Sequence, residues 1–234
     1  MRDWKNYWEN RTKTVDKTDY LRQVGRTVKG KPITDWQLQL IVSQICRELH
    51  LQEDSVVLDL CCGNGLITKE LAKQCKSVVG IDFSQPLLEI ANRDHRPMNV
   101  LYQCMNILEL DKMPPSVSSP FNKVLMYEGL QYVRKQDLIT ILRNTLQLSS
   151  KICIMLFGSV PDLARKWTFY NTPKRRLIYL IRQLFKREAI GTWWDKEFIR
   201  GACKQLDLLC EFKEHRKELH TSHYRFDVLI SRAG

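Results

Sequence analysis

Two short apolar runs, each carrying an acidic residue near its end, constrain this chain more than any other feature. The first is Val56-Val57-Leu58-Asp59-Leu60, running into Cys61-Cys62-Gly63-Asn64-Gly65; the second is Val78-Val79-Gly80-Ile81-Asp82, running into Phe83-Ser84. Neither alternates apolar and polar residues. Each therefore reads as a strand buried on both faces, as in a parallel sheet covered by helices. Residues 66–74 supply the crossover helix between them. A glycine-rich turn at a helix start lets backbone N–H groups approach a ligand closely. Asp82 stands at the end of the second strand, where a carboxylate grips the two hydroxyls of a ribose. The unit points to a nucleoside-bearing ligand.

The same alternation extends along the chain. Residues 4–10 read as a helix, with a short turn around 19–24. Thr34-Asp35 caps a helix to about residue 50, with Leu38, Ile41, Val42, Ile45 and Leu49 at helical spacing. After the βαβ unit come helix 85–93, strand 99–103, a Pro/Ser loop at 113–120, strand 122–126, helix 135–147 and strand 151–157. A basic, mostly helical segment (161–191) precedes helix 195–205. Runs near 209–213 and 223–231, joined by a short polar connection, suit an antiparallel hairpin at the sheet edge. The expected class is α/β, with a mostly parallel seven-stranded sheet, helices on both faces and a closing hairpin.

With 44% hydrophobic residues over 234, the chain has ample material for one α/β core. No stretch of about 18 apolar residues exists to span a membrane. Met1-Arg2-Asp3-Trp4-Lys5 is too polar for a signal peptide. The eight cysteines are scattered, without a CxxC pair or a His/Cys cluster at metal spacing. They read as buried thiols of a reducing, cytoplasmic compartment, with no metal site. Residues 1–31 hold nine Lys/Arg against four Asp/Glu, and residues 161–190 hold eight against two. These two segments contain the whole excess of +11. They are either solvated helical faces or flanks that favour an anionic acceptor or surface.

The turn itself narrows the ligand. A dinucleotide fold needs a third glycine for close helix–strand packing, and here Leu66, Ile67 and Thr68 follow Gly65 instead. Asp59 precedes the turn, where it would repel a pyrophosphate but could hold an ammonium group. No phosphate-gripping lysine motif is present. The site suits a ligand with a ribose and a positive amino group, without phosphates.

On these residues the chain resembles the class I S-adenosylmethionine-dependent methyltransferases, whose first motif is an acidic residue, a hydrophobic one, then G-x-G-x-G. Cys61 replaces the first glycine, a mild departure if the backbone there has negative φ. The resemblance covers residues 52–158, and Tyr7-Trp8-Glu9-Asn10-Arg11 looks like the opening of many bacterial small-molecule members. It implies S-adenosyl-L-methionine as cofactor, in a Rossmann-like fold. Residues 1–50 would form an N-terminal helical cap, and residues 51–234 the catalytic domain. It also implies Asp59 near the methionine amino group, with Cys61, Gly63, Asn64 and Gly65 lining the amino-acid and ribose portion. Asp82 would take the ribose hydroxyls and Phe83 would pack on the adenine. Met105, Asn106 and Ile107 would supply adenine contacts, and Tyr127 would stand where cofactor meets acceptor.

Methyl transfer to an oxygen of high pKa is helped by a general base. Glu128 and Gln131 after the fourth strand, and His223 or His220 near the last hairpin, are the candidates. Tyr7, Tyr20 and Trp194 are candidate acceptor-side walls. The insertion at 161–191 reads first as an acceptor lid, with a membrane-surface helix favouring lipid-linked acceptors as its rival. The expected acceptor is an oxygen or nitrogen of a small molecule. RNA is disfavoured, because Met126-Tyr127-Glu128-Gly129 lacks the Asn/Asp-Pro-Pro-Tyr/Phe of exocyclic-amine enzymes and no Pro-Cys nucleophile follows. A noncatalytic cofactor-binding protein is a further alternative. Oligomeric state is left open.

Overall fold

The structure, a computed structural model, describes residues 2–117, 120–185 and 187–232. Ser118 and Ser119 of the expected Pro/Ser loop and Lys186 of the basic run lie outside the described residues.

Seven strands form one sheet: β1 (Val56–Leu60), β2 (Ser77–Asp82), β3 (Val100–Cys104), β4 (Phe121–Tyr127), β5 (Ser149–Pro161), β6 (Leu208–Glu214) and β7 (Arg225–Arg232). Their order is β3-β2-β1-β4-β5-β7-β6. The first five are parallel, while β7 runs antiparallel to both β5 and β6. The α/β class with a closing hairpin is as the sequence indicates. The chain order reverses direction between β1 and β4, the place where open α/β sheets bind ligands beyond the carboxyl ends of their strands.

The helices are α1 (Trp4–Thr14), α2 (Tyr20–Gln23), α3 (Asp35–Glu48), α4 (Thr68–Leu71), α5 (Gln85–Asp94), α6 (Leu138–Leu148), α7 (Lys166–Phe169), α8 (Pro173–Leu184) and α9 (Lys196–Lys204). Side-chain caps fix several starts. Asp3 accepts from the Asn6 N–H, Thr34 from Gln37, and Asp195 from Glu197 and Phe198.

Strand pleating sorts the core into two layers, because successive side chains point to opposite faces. Leu58, Leu60, Ile81, Met126 and Phe157 pack with Leu138, Ile141 and Leu142 of α6 and Ile199 of α9. Val57, Val78, Leu125 and Leu156 pack with Ile41, Val42 and Ile45 of α3 and Leu71 of α4. α3 therefore belongs to the sheet, not to the cap expected over residues 1–50. The cap proper is α1, α2 and the short hairpin of Thr27–Val28 with Lys31–Pro32. Its aromatic face, Trp4 and Trp8, is buried together with Leu87 of α5.

Candidate active site

Asp59 shares its face of β1 with Val57, so its side chain points toward α4. There the Thr68 hydroxyl donates to Oδ2 at 2.6 Å. Asp59 is buried, and burial raises its carboxyl from 3.8 to about 7 against the opposing pull of that hydrogen bond and of Arg26. Asp82 ends β2 and is also buried. Its Oδ2 accepts from the Gly63 N–H and its Oδ1 from the Ser84 N–H, both at 2.9 Å. Burial still outweighs these bonds and lifts it to about 6. In both carboxyls burial outweighs the local hydrogen bonds and charges, and each borders the same cavity.

That cavity lies at the carboxyl ends of β1, β2 and β4. Asp59, Cys61, Cys62, Gly63, Asn64, Asp82, Phe83, Tyr127 and Glu128 line it, with Trp8, Val24 and Arg26 from the cap and Tyr132 from the loop after β4. Cys61, Phe83 and Tyr132 also border a second cleft, lined further by Met105, Asn106 and Ile107.

The motif loop departs from expectation at Cys61, where φ is +60°, in the left-handed region. The mild substitution expected for negative φ is thus a strained one, of order 1–2 kcal/mol. Gly129 makes room for it: a Cβ there would stand 2.9 Å from Cys61 Cβ. Glu128 (φ +60°) and Ser159 (φ +59°) share this conformation and meet, with the Ser159 hydroxyl 3.4 Å from Glu128 Oε1. Of these three, Cys61 and Glu128 line the cavity.

Arg26 Nη1 forms an ion pair with Glu128 Oε2 at 2.9 Å. Burial alone would raise the Glu128 carboxyl; Arg26, then Arg225, His220 and His215, outweigh it and hold it below its ordinary range. Glu128 is accordingly ionised and weakly basic.

Of the other expected residues, Asn64 borders the cavity and Asn106 the second cleft, while Gly65, Gln131, His220 and His223 line neither. Gly65 does not line the cavity; at φ +76° it lets the Tyr102 hydroxyl approach to where a Cβ would be 2.3 Å away. The Asn64 side chain points away, donating to the Tyr20 carbonyl and Gln23 Oε1 at 2.9 Å each. Asn106 Oδ1 caps the turn after β3 by accepting from the Leu108 N–H. Gln131 is buried beside the site, donating to the Glu128 carbonyl and accepting from Arg225 at 2.9 Å each; it is a brace rather than a base. His223 is exposed and packs edge-on to Tyr224, and His220 donates through Nδ1 to Gln37 Oε1. Neither borders the cavity.

Of the proposed acceptor walls, Trp194 is fully buried in the sheet core, its indole N–H donating to the Leu130 carbonyl. Tyr20 donates to Asp94 on the outer side of α5, and Tyr7 packs behind Trp4 and Trp8. None of the described residues of 161–191 lines either cavity, so the expected lid does not cover them there. Arg26 and Tyr132 carry no signal in the sequence, and Trp8 stands only in the quoted N-terminal run without a role at the site; only the fold brings them there.

The arrangement defines a Rossmann-like methyltransferase site. Solved structures share the fold: the N-methyltransferase NodS from Bradyrhizobium japonicum WM9, in complex with S-adenosyl-l-homocysteine, superposes with a TM-score of 0.66 over 100% of both chains at 16% identity. The family model described as "Methyltransferase domain" matches residues 57–150. The demethylmenaquinone methyltransferase of Lactiplantibacillus plantarum is 43% identical over 203 residues, 82% of each chain. An uncharacterized methyltransferase of Schizosaccharomyces pombe, C1347.09, is 38% identical over 68 residues, but these span only 24% of that relative and 28% of this chain. The chain belongs to the class I S-adenosylmethionine-dependent methyltransferases, and its cofactor is S-adenosyl-L-methionine.

Proposed function

We propose that the protein methylates an oxygen or nitrogen atom of a small organic molecule. The observation that carries this reading is that Asp82, Asp59, Arg26 and Glu128 line one cavity, with Arg26 acting on both Asp59 and Glu128. A zwitterionic nucleoside amino acid presents groups complementary to these side chains. Asp82 would hold the ribose hydroxyls, each of its oxygens already oriented by one backbone N–H. Asp59 would face the ammonium group and Arg26 the carboxylate, with Phe83 and the Met105-to-Ile107 segment beside the base. The bound cofactor supplies a methyl group on a positive sulfonium, which leaves as a neutral thioether.

With that leaving group, alignment of the acceptor carries much of the catalysis. The walls around the reactive end are Tyr127, Tyr132 and the strained Cys61, which exclude water. Glu128 is ionised and adjoins this end; it would orient an acceptor hydroxyl or amine and take its proton late in the transfer. A small-molecule acceptor is supported by the relative named for demethylmenaquinone, and a nucleic-acid acceptor by no motif after β4.

Incubation of the protein with methyl-labelled cofactor and separate metabolite, lipid and RNA fractions tests this. Label in the metabolite or lipid fraction is expected. Label in RNA alone, or tight cofactor binding without label in any fraction, would overturn the reading.

A further inference from the structure

α8 carries Leu177, Leu180, Ile181 and Leu184, followed by Phe185, at spacings of three and four. These positions form one helical stripe. They are exposed at 58%, 53%, 45%, 81% and 70%. The opposite side of the helix is anchored. Tyr179 is buried against Tyr170, Trp193 and Tyr224, and its hydroxyl accepts from Gln183 and Lys166. The helix is thus docked through its Tyr179 side, with its apolar stripe turned outward. Exposed apolar patches of this kind mark interaction surfaces.

Charge selects the occupant. Residues 163–187 contain eight Lys/Arg and no Asp/Glu. Among the described residues, Lys174, Arg175, Arg176, Arg182 and Arg187 have no carboxylate within 4.0 Å. On the helical wheel Arg176 flanks the stripe, Lys174 stands at its N-terminal end within the same arc, and Arg182 lies beyond its edge. An apolar stripe bordered by unpaired cations complements one surface in particular, acyl chains beneath anionic headgroups. Trp167, adjoining Tyr179 at 5.7 Å between ring centroids and 44% exposed, adds an amphipathic ring beside the stripe.

We propose that α8 is a membrane-surface helix that seats the enzyme on an anionic bilayer. The helix lies in the interface with Leu180 and Leu184 inserted and its flanking cations at headgroup level. This leaves the cofactor cavity, which no α8 residue lines, free of the contact.

The test is co-sedimentation of the full chain with vesicles of phosphatidylcholine containing about one third phosphatidylglycerol. Wild-type protein should pellet with these vesicles, weaken as salt rises, and stay in the supernatant with phosphatidylcholine alone. Leu180→Glu with Leu184→Glu should cut partitioning about tenfold or more, since each leucine is a large apolar group withdrawn from water. Lys174→Glu with Arg182→Glu should abolish the preference for anionic vesicles. All four positions are exposed, so melting temperature and cofactor affinity should stay at wild-type values. No binding of wild type to anionic vesicles overturns the proposal. So does binding unaffected by the leucine substitutions, or retention by RNA together with equal loss of vesicle and RNA binding only in the charge variant.

Discussion

Asp59→Asn should make the empty protein more stable and the cofactor weaker-bound, two effects of opposite sign from one atom pair. Asparagine keeps an oxygen to accept from the Thr68 hydroxyl and removes the buried charge. A carboxyl whose pKa is raised on folding stabilises the fold below its unfolded value, and that stability is lost as pH rises through the folded value. For Asp59 the window runs from 3.8 to about 7. At about pH 8 the ionised side chain therefore costs up to roughly 4 kcal/mol, and the substitution removes that cost. The gain in melting temperature is then up to roughly 10 °C at about pH 8 for a domain of this size. At about pH 5.5 the gain should fall to roughly half, because the native carboxyl is already protonated. Scanning calorimetry across this range measures the first effect. Isothermal titration with S-adenosylmethionine measures the second, an expected loss of about tenfold or more from the missing charge-assisted contact. A lower melting temperature at about pH 8, a gain independent of pH, or unchanged cofactor affinity would refute the reasoning.

Asp82→Ala should weaken cofactor binding by about 1–3 kcal/mol through lost hydrogen bonds to the ribose; calorimetry showing unchanged affinity would remove Asp82 from that role. Arg26→Gln should raise the pKa of Glu128, whose burial then acts unopposed by its nearest cation, and should reduce cofactor affinity about tenfold or more. An unmoved acidic limb in the pH–rate profile would contradict the coupling. Gly65→Ala should destabilise the fold by roughly 2 kcal/mol or more, combining a positive φ with a Cβ against the Tyr102 hydroxyl. Denaturant unfolding reads this, and a cost under about 0.5 kcal/mol would show that the turn relaxes freely.

What was legible in the sequence followed from local, strongly patterned signals. The unbroken apolar runs of β1 and β2 located both strands, and their position in a parallel unit located Asp59 and Asp82 at the cavity. Phe83, Cys61 and Tyr127 followed because they adjoin strand ends. Residues whose roles depend on distant partners were not legible. Arg26 reaches the site because the N-terminal segment docks on the rest of the fold, through Trp4 and Trp8 with Leu87 and through Tyr20 and Gln23 with Asn64, and nothing within its own segment encodes that. Trp194 read equally well as wall or core, and Gln131 as a catalytic candidate, until the Leu130 and Arg225 contacts fixed them as bracing. Cys61 could be recognised as a departure, but its positive φ is a property of the folded loop. The basic α8 was legible as amphipathic; which side it turns to the protein was set by Tyr179.

The account rests on the charged lining of the cavity, and a crystal structure with S-adenosyl-l-homocysteine tests it most directly. It predicts both ribose hydroxyls within hydrogen-bonding distance of the Asp82 carboxylate, the amino group on the Asp59 side, and the carboxylate facing Arg26. A ligand whose ribose lies away from Asp82, or whose amino-acid end points away from Asp59 and Arg26, would contradict it.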